Sequence, residues 1–166
     1  QAITVNLMAN SWKSWRGQAL QAPPTLARWV TIKGHEHLKA GLARGNGLIV
    51  VFTHQAFITQ LTRRTLAAHE IHQVPVIAAN RPEADRAAMA LRGFRHGQEG
   101  LELLRRGQAL LIAGDGRNSI DPVRISLYGR QLPLPRGFAV LAQIIQAAVV
   151  AAFGSMNSTG HFTLEF

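Results

Sequence analysis

The chain has 166 residues, 47% of them hydrophobic and 16% charged, which suits one domain with a real core and excludes wholesale disorder. Eighteen Lys and Arg against nine Asp and Glu give a formal charge of +9, a surplus that points to an anionic partner. Cysteine is absent, so disulfides and thiolate metal sites are excluded.

The chain opens on Gln1 rather than Met, which predicts a removed or missing upstream piece. Residues 1–24 read as an amphipathic helical segment. Trp12, Lys13, Trp15 and Arg16 suit either a membrane interface or packing on the domain. Pro23 and Pro24 break that helix, and residues 25–166 form the domain proper.

From Trp29 onward strands and helices alternate. Trp29 to Lys33 reads as a strand stopped by Gly34, and His35 to Arg44 as a helix ended by Gly45. Gly47 to Thr53 is a continuous apolar run, the pattern of a strand buried on both faces. Gln55 to Ala68 reads as a helix, Val74 to Ala79 as a second buried strand, and Pro82 to Arg92 as a helix with an early proline. A helix over Gln98 to Arg106 closes at Gly107, and Ala109 to Ala113 is a third buried strand. Val123 to Tyr128 alternates as a half-exposed strand. Phe138 to Gln146 is an apolar helix, Ala147 to Phe153 a strand, and His161 to Phe166 a last strand after the turn Asn157-Ser158-Thr159-Gly160. The longest apolar region, Phe138 to Phe153, is broken by Gln143 and Gln146 and falls short of the ~20 apolar residues of a spanning helix. This alternation predicts an α/β fold: a central, largely parallel sheet with helices on both faces.

In such sheets ligands gather at the carboxyl edge of the strands. Three buried strands stop there on polar residues: His54, then Asn80-Arg81-Pro82, then Gly114-Asp115-Gly116-Arg117. If they run parallel, His54, Arg81 and Asp115 converge as a base, an anion clamp and an orienting acid. Arg117, Arg124, Arg130 and Arg136 follow closely as a basic rim, whose forked guanidinium donors suit phosphate, or as a solvated face.

Other signals are weak. His69-Glu70-Ile71-His72 lacks the two-turn spacing of a zinc helix, and His35 and His37 flank Glu36 as solvated groups, so no metal site is expected. Gly114-Asp115-Gly116 lacks a phosphate-loop ending, and no Gly-x-Ser-x-Gly elbow is present. Neither an aromatic-interleaved basic stripe nor a known nucleic-acid motif appears, which makes nucleic acid the weakest of the anionic partners.

The ordered series His35-Glu36-His37-Leu38, Leu48 to His54, Asn80-Arg81-Pro82, Leu104-Arg105-Arg106-Gly107, Ile112-Ala113-Gly114-Asp115, Leu127-Tyr128-Gly129-Arg130 and Pro135-Arg136-Gly137 resembles the glycerolipid and lysophospholipid acyltransferase superfamily. It is most similar to the bacterial late acyltransferases of lipid A. No one motif is specific; their order from about Trp29 to Phe166 is.

The resemblance implies a glycerolipid-acyltransferase-like fold. It implies transfer of an acyl group from a thioester, on acyl carrier protein or coenzyme A, to a hydroxyl or amine of a lipid-like acceptor. The thioester is a co-substrate and no further cofactor is implied. Place and partners follow in the same way: peripheral association with the cytoplasmic face of a bacterial inner membrane, on an anionic lipid surface. His54 takes the general-base position, while Thr59, Arg81, Arg117, Tyr128, Gly129, Arg130 and Arg136 fall at substrate-binding positions. The family's pattern is His-x4-Glu/Asp, and here Thr59 stands where the acid is expected. Threonine accepts a hydrogen bond but does not stabilise imidazolium as a carboxylate does. Either Asp115 supports His54 instead, or the domain is an impaired relative that binds lipid or a protein partner. The Arg81–Asp115 interval is also shorter than is usual in the family.

Overall fold

The structure is a computed structural model that describes residues 29–53, 58–68, 73–75, 97–115 and 122–166. The amphipathic segment 1–24 and the helix expected over Pro82 to Arg92 lie outside the described residues.

Among the described residues, eight strands and four helices follow in chain order: β1 (Val30–Lys33), α1 (His35–Ala43), β2 (Leu48–Phe52), α2 (Ile58–Ala68), β3 (Gln73–Pro75), α3 (97–105), β4 (Ala109–Ala113), β5 (Pro122–Leu127), β6 (Arg130–Pro135), α4 (Gly137–Ile145), β7 (Ala148–Met156) and β8 (Phe162–Glu165). Six strands form one sheet in the order β1-β8-β7-β2-β4-β3, and β5 and β6 form a separate two-stranded ribbon. Every pairing in the large sheet is parallel except β7 with β8. The expected α/β architecture with a largely parallel sheet is therefore present.

β2 is the centre of the sheet. Its alternate residues serve two cores, because successive side chains of a strand point to opposite faces. Leu48, Val50 and Phe52 join Leu38 of α1 and Leu61 and Leu66 of α2 on one face, where Phe162 and Leu164 of β8 also pack. Ile49 joins Leu104 of α3 on the other face, with Leu110 of β4 and, from α4, Phe138, Leu141 and Ile145. Helices thus lie on both faces, as the continuous apolar run over β2 requires. Coverage of the second face stops short of β7, where Val149 and Phe153 stay 46% and 61% exposed.

β6 and β7 differ from expectation. Residues Arg130–Pro135 are a strand, although Pro133 and Pro135 argue against one in sequence. A two-stranded ribbon tolerates them because each strand bonds along one edge only, which leaves proline's missing N–H on the open side. β7 runs on to Met156 instead of stopping at Phe153, because its last residues find a new partner in β8. α4 is the apolar helix expected over Phe138 to Gln146; it has no fully buried residue, and Val140 and Ile144 lie open.

The turn into β2 is set by glycine. Gly45 and Gly47 both hold φ near +80°, the left-handed region that side chains disfavour. Around Gly45 there is open space, whereas a Cβ on Gly47 would stand 2.7 Å from the Leu104 backbone oxygen. Gly45→Ala is therefore expected to cost only the conformational strain, about 1 kcal/mol. Gly47→Ala adds a backbone clash and is expected to cost at least about 3 kcal/mol. Denaturant unfolding of the two variants measures the difference, and equal losses would show that the close approach to α3 does not matter.

Candidate functional site at the carboxyl edge

β3, β4, β2 and β7 all run the same way, so their carboxyl ends share one edge. Phe52 stands level with Ala113 on one side and with Ala152 on the other. The β2–β4 ladder continues one step further, since the Gly114 N–H donates to the Phe52 carbonyl at 2.8 Å. A Cβ on Gly114 would lie 2.7 Å from Cγ1 of Val51, so the two loops leave the edge closely packed only with glycine at that position.

This register brings Thr53 level with Gly114. Asp115 follows Gly114 in an exposed turn, as His54 follows Thr53 in the chain. Of the three residues expected to converge, Asp115 is described at the edge; His54 and Arg81 lie outside the described residues. Thr59 belongs to the first turn of α2. The parallel order on which the convergence depends is present.

The expected basic rim divides. Arg117 lies outside the described residues. Arg124 pairs with Pro133 and Arg130 with Leu127, which puts those two arginines on opposite faces of the ribbon. Tyr128 and Gly129 form its turn, both at positive φ, and Tyr128 is 96% exposed rather than part of β5. Arg136 occupies the N-cap position of α4, where the first free N–H groups of the helix add to its positive charge.

Two interior hydroxyls lie outside the expected site residues. Thr62 and Thr65 of α2 are buried, and neither hydroxyl has a hydrogen-bond partner. With Leu61 and Leu66 they occupy one face of the helix, and that spacing is the signal by which a buried pair is recognised. A shallow recess of about 400 Å³ lies elsewhere, between His37 of α1, its C-cap Arg44 and the first residues of β7. It sits toward the amino end of β7, away from the shared edge. His35 contacts Glu36 at 3.7 Å with both side chains largely exposed, in line with solvated groups. Among the described residues no group of three potential metal ligands comes together, and no helix is long and apolar enough to cross a membrane. The run His69 to His72 lies outside them.

Compared with protein-family models and with curated proteins, the chain matches none.

Exposed charges are screened within about 10 Å at 0.1 M salt. If Arg130 and Arg136 hold a phosphate-bearing ligand, binding of coenzyme A should weaken steeply with ionic strength. Arg130→Gln combined with Arg136→Gln should flatten that dependence. Calorimetry at two salt concentrations decides; affinity that ignores salt would assign the contact to apolar surface.

Proposed function

We propose that the domain is an acyltransferase that moves an acyl group from a thioester to a hydroxyl or amine of a lipid-like acceptor. The reading rests on the ordered motif series and on one observation of the fold. The Gly114–Phe52 bond ties the ends of β2 and β4 to a common carboxyl edge, so that Asp115 and Thr53, the residue before His54, follow the sheet at neighbouring positions. That is where open α/β sheets bind ligands.

In the proposed reaction the His54 imidazole takes the proton of the acceptor's O–H or N–H as the acceptor attacks the thioester carbonyl. The new C–O or C–N bond forms, the C–S bond breaks, and the leaving thiolate receives the proton from the imidazolium. Asp115 orients the ring and stabilises its charged form, the part that Thr59 lacks the charge to play. Arg81, Arg117, Arg130 and Arg136, with Tyr128 and Gly129, bind the phosphates of the carrier or the coenzyme and the headgroup of the acceptor. The glycerolipid-acyltransferase-like fold, the inner-membrane location and the acyl-carrier or coenzyme donor belong to this proposal. A second reading, an impaired domain that binds lipid or a protein without turnover, is favoured by Thr59 at the acid position.

Labelled acyl carrier protein or acyl coenzyme A, incubated with the protein and a lipid extract, tests the activity. His54→Ala is expected to lower transfer by about 10²–10⁴-fold while the melting temperature holds. Unchanged turnover in a folded variant would remove His54 from the mechanism.

Thr59→Glu and Asp115→Asn separate the two readings. A large loss from Asp115→Asn, with no gain from Thr59→Glu, is expected if Asp115 orients His54, since a second nearby carboxylate would be pushed toward protonation. A gain from Thr59→Glu marks a decayed site. Absence of transfer in wild type and both variants, with every donor, leaves the binding domain.

A further inference from the structure

The β5–β6 ribbon is amphipathic, and its apolar face is open. Val123 stands opposite Leu134, Ile125 opposite Leu132 and Leu127 opposite Arg130, so these side chains share one face. Arg124, Ser126 and Gln131 occupy the other. Val123, Ile125, Leu127 and Leu132 remain between 36% and 46% exposed, and Tyr128 stands out at the tip. A two-stranded ribbon is marginal in water, and one that leaves a row of branched side chains partly wet forgoes a good part of their burial.

We propose that this apolar face docks the domain onto an anionic lipid bilayer. The aliphatic side chains enter the boundary between headgroups and acyl chains, Tyr128 sits at the interface, and Arg124 and Arg130 reach lipid phosphates from the polar face and the tip. Charge selects the sign of the surface. From Pro122 to Arg136 the only charged residues are Arg124, Arg130 and Arg136, with no carboxylate among them, in a chain of net charge +9.

The prolines argue against a strand, of this chain or another, adding to the ribbon's edge. Pro122, Pro133 and Pro135 lack the N–H groups that an added strand would pair with. The lipid class rests on the acceptor proposed above, whereas the apolar face stands without it.

Co-sedimentation with vesicles of phosphatidylcholine, with and without phosphatidylglycerol, tests the docking. The wild type should pellet with the anionic vesicles and much less with the neutral ones. Ile125→Ser combined with Leu132→Ser should weaken partition by about tenfold or more, with the melting of the core unchanged.

The chain has no cysteine, so Ile125→Cys and Ser126→Cys each accept a single environment-sensitive fluorophore. On anionic vesicles the label at 125 should shift to the blue and its neighbour at 126, on the opposite face, should not. These single-site variants keep the test decisive if the double serine variant fails to fold. A wild type that stays in the supernatant overturns the proposal, as do equal shifts at 125 and 126, or a folded serine variant that pellets like wild type. So does a wild-type dimer that the serine substitutions dissociate and that ignores vesicles. Acyl transfer to a dispersed acceptor is measured separately. No transfer with intact vesicle binding overturns the function and leaves the docking; transfer without vesicle binding overturns the docking alone.

Discussion

The structure depends on burying β2 on both faces. Five apolar residues in succession have no polar face to offer water, so Leu48, Ile49, Val50, Val51 and Phe52 form a stable strand only between two layers. Their backbone groups require partners on both edges, which β7 and β4 supply in parallel register. Parallel neighbours in turn require long crossovers, and amphipathic helices are the economical form of such a connection. The two-sided core and the helical layers therefore follow from one short segment.

The same constraint creates the candidate site. Strands that run one way release their loops at one edge, where backbone N–H and C=O groups leave the ladder and polar side chains become affordable. Thr53 and Asp115 follow the two most buried strands without cost to either core. The Gly114 N–H fixes the spacing of the two loops, and glycine keeps Val51 from forcing them apart. Loops that leave a packed sheet carry polar side chains without disturbing the layers beneath, which is why this edge is the candidate site.

The ribbon obeys the opposite rule. Its strands alternate instead of running apolar, and its cross-strand pairs keep Ile125 with Leu132 on one side and Ser126 with Gln131 on the other. Neither core of the large sheet absorbs the apolar side. The chain thus presents a partly open aliphatic face, with Arg124 and Arg130 on opposite faces of the same ribbon.

Much of the fold was legible in the residues themselves. Continuous apolar runs marked β2 and β4, glycines closed α1 and α3, and the turn at Asn157 is held as its type demands, with the side-chain oxygen accepting from the Thr159 and His161 N–H groups. These features are local, because hydrophobic period and turn chemistry act within a few residues. Strand order was not legible. That β7 takes β2 as its partner first and β8 later, and that β8 and β1 run against the other four strands, depends on pairings between distant segments. The strand β6 was hidden by Pro133 and Pro135, whose penalty vanishes on an open edge that only the tertiary structure creates. Sequence named His54, Arg81 and Asp115 as chemistry at strand ends. The alternation of strands and helices already implied a largely parallel sheet; tertiary structure alone decided which strands stand side by side and that Gly114 bonds to Phe52, because strand pairing is a relation between segments and not a property of any one of them.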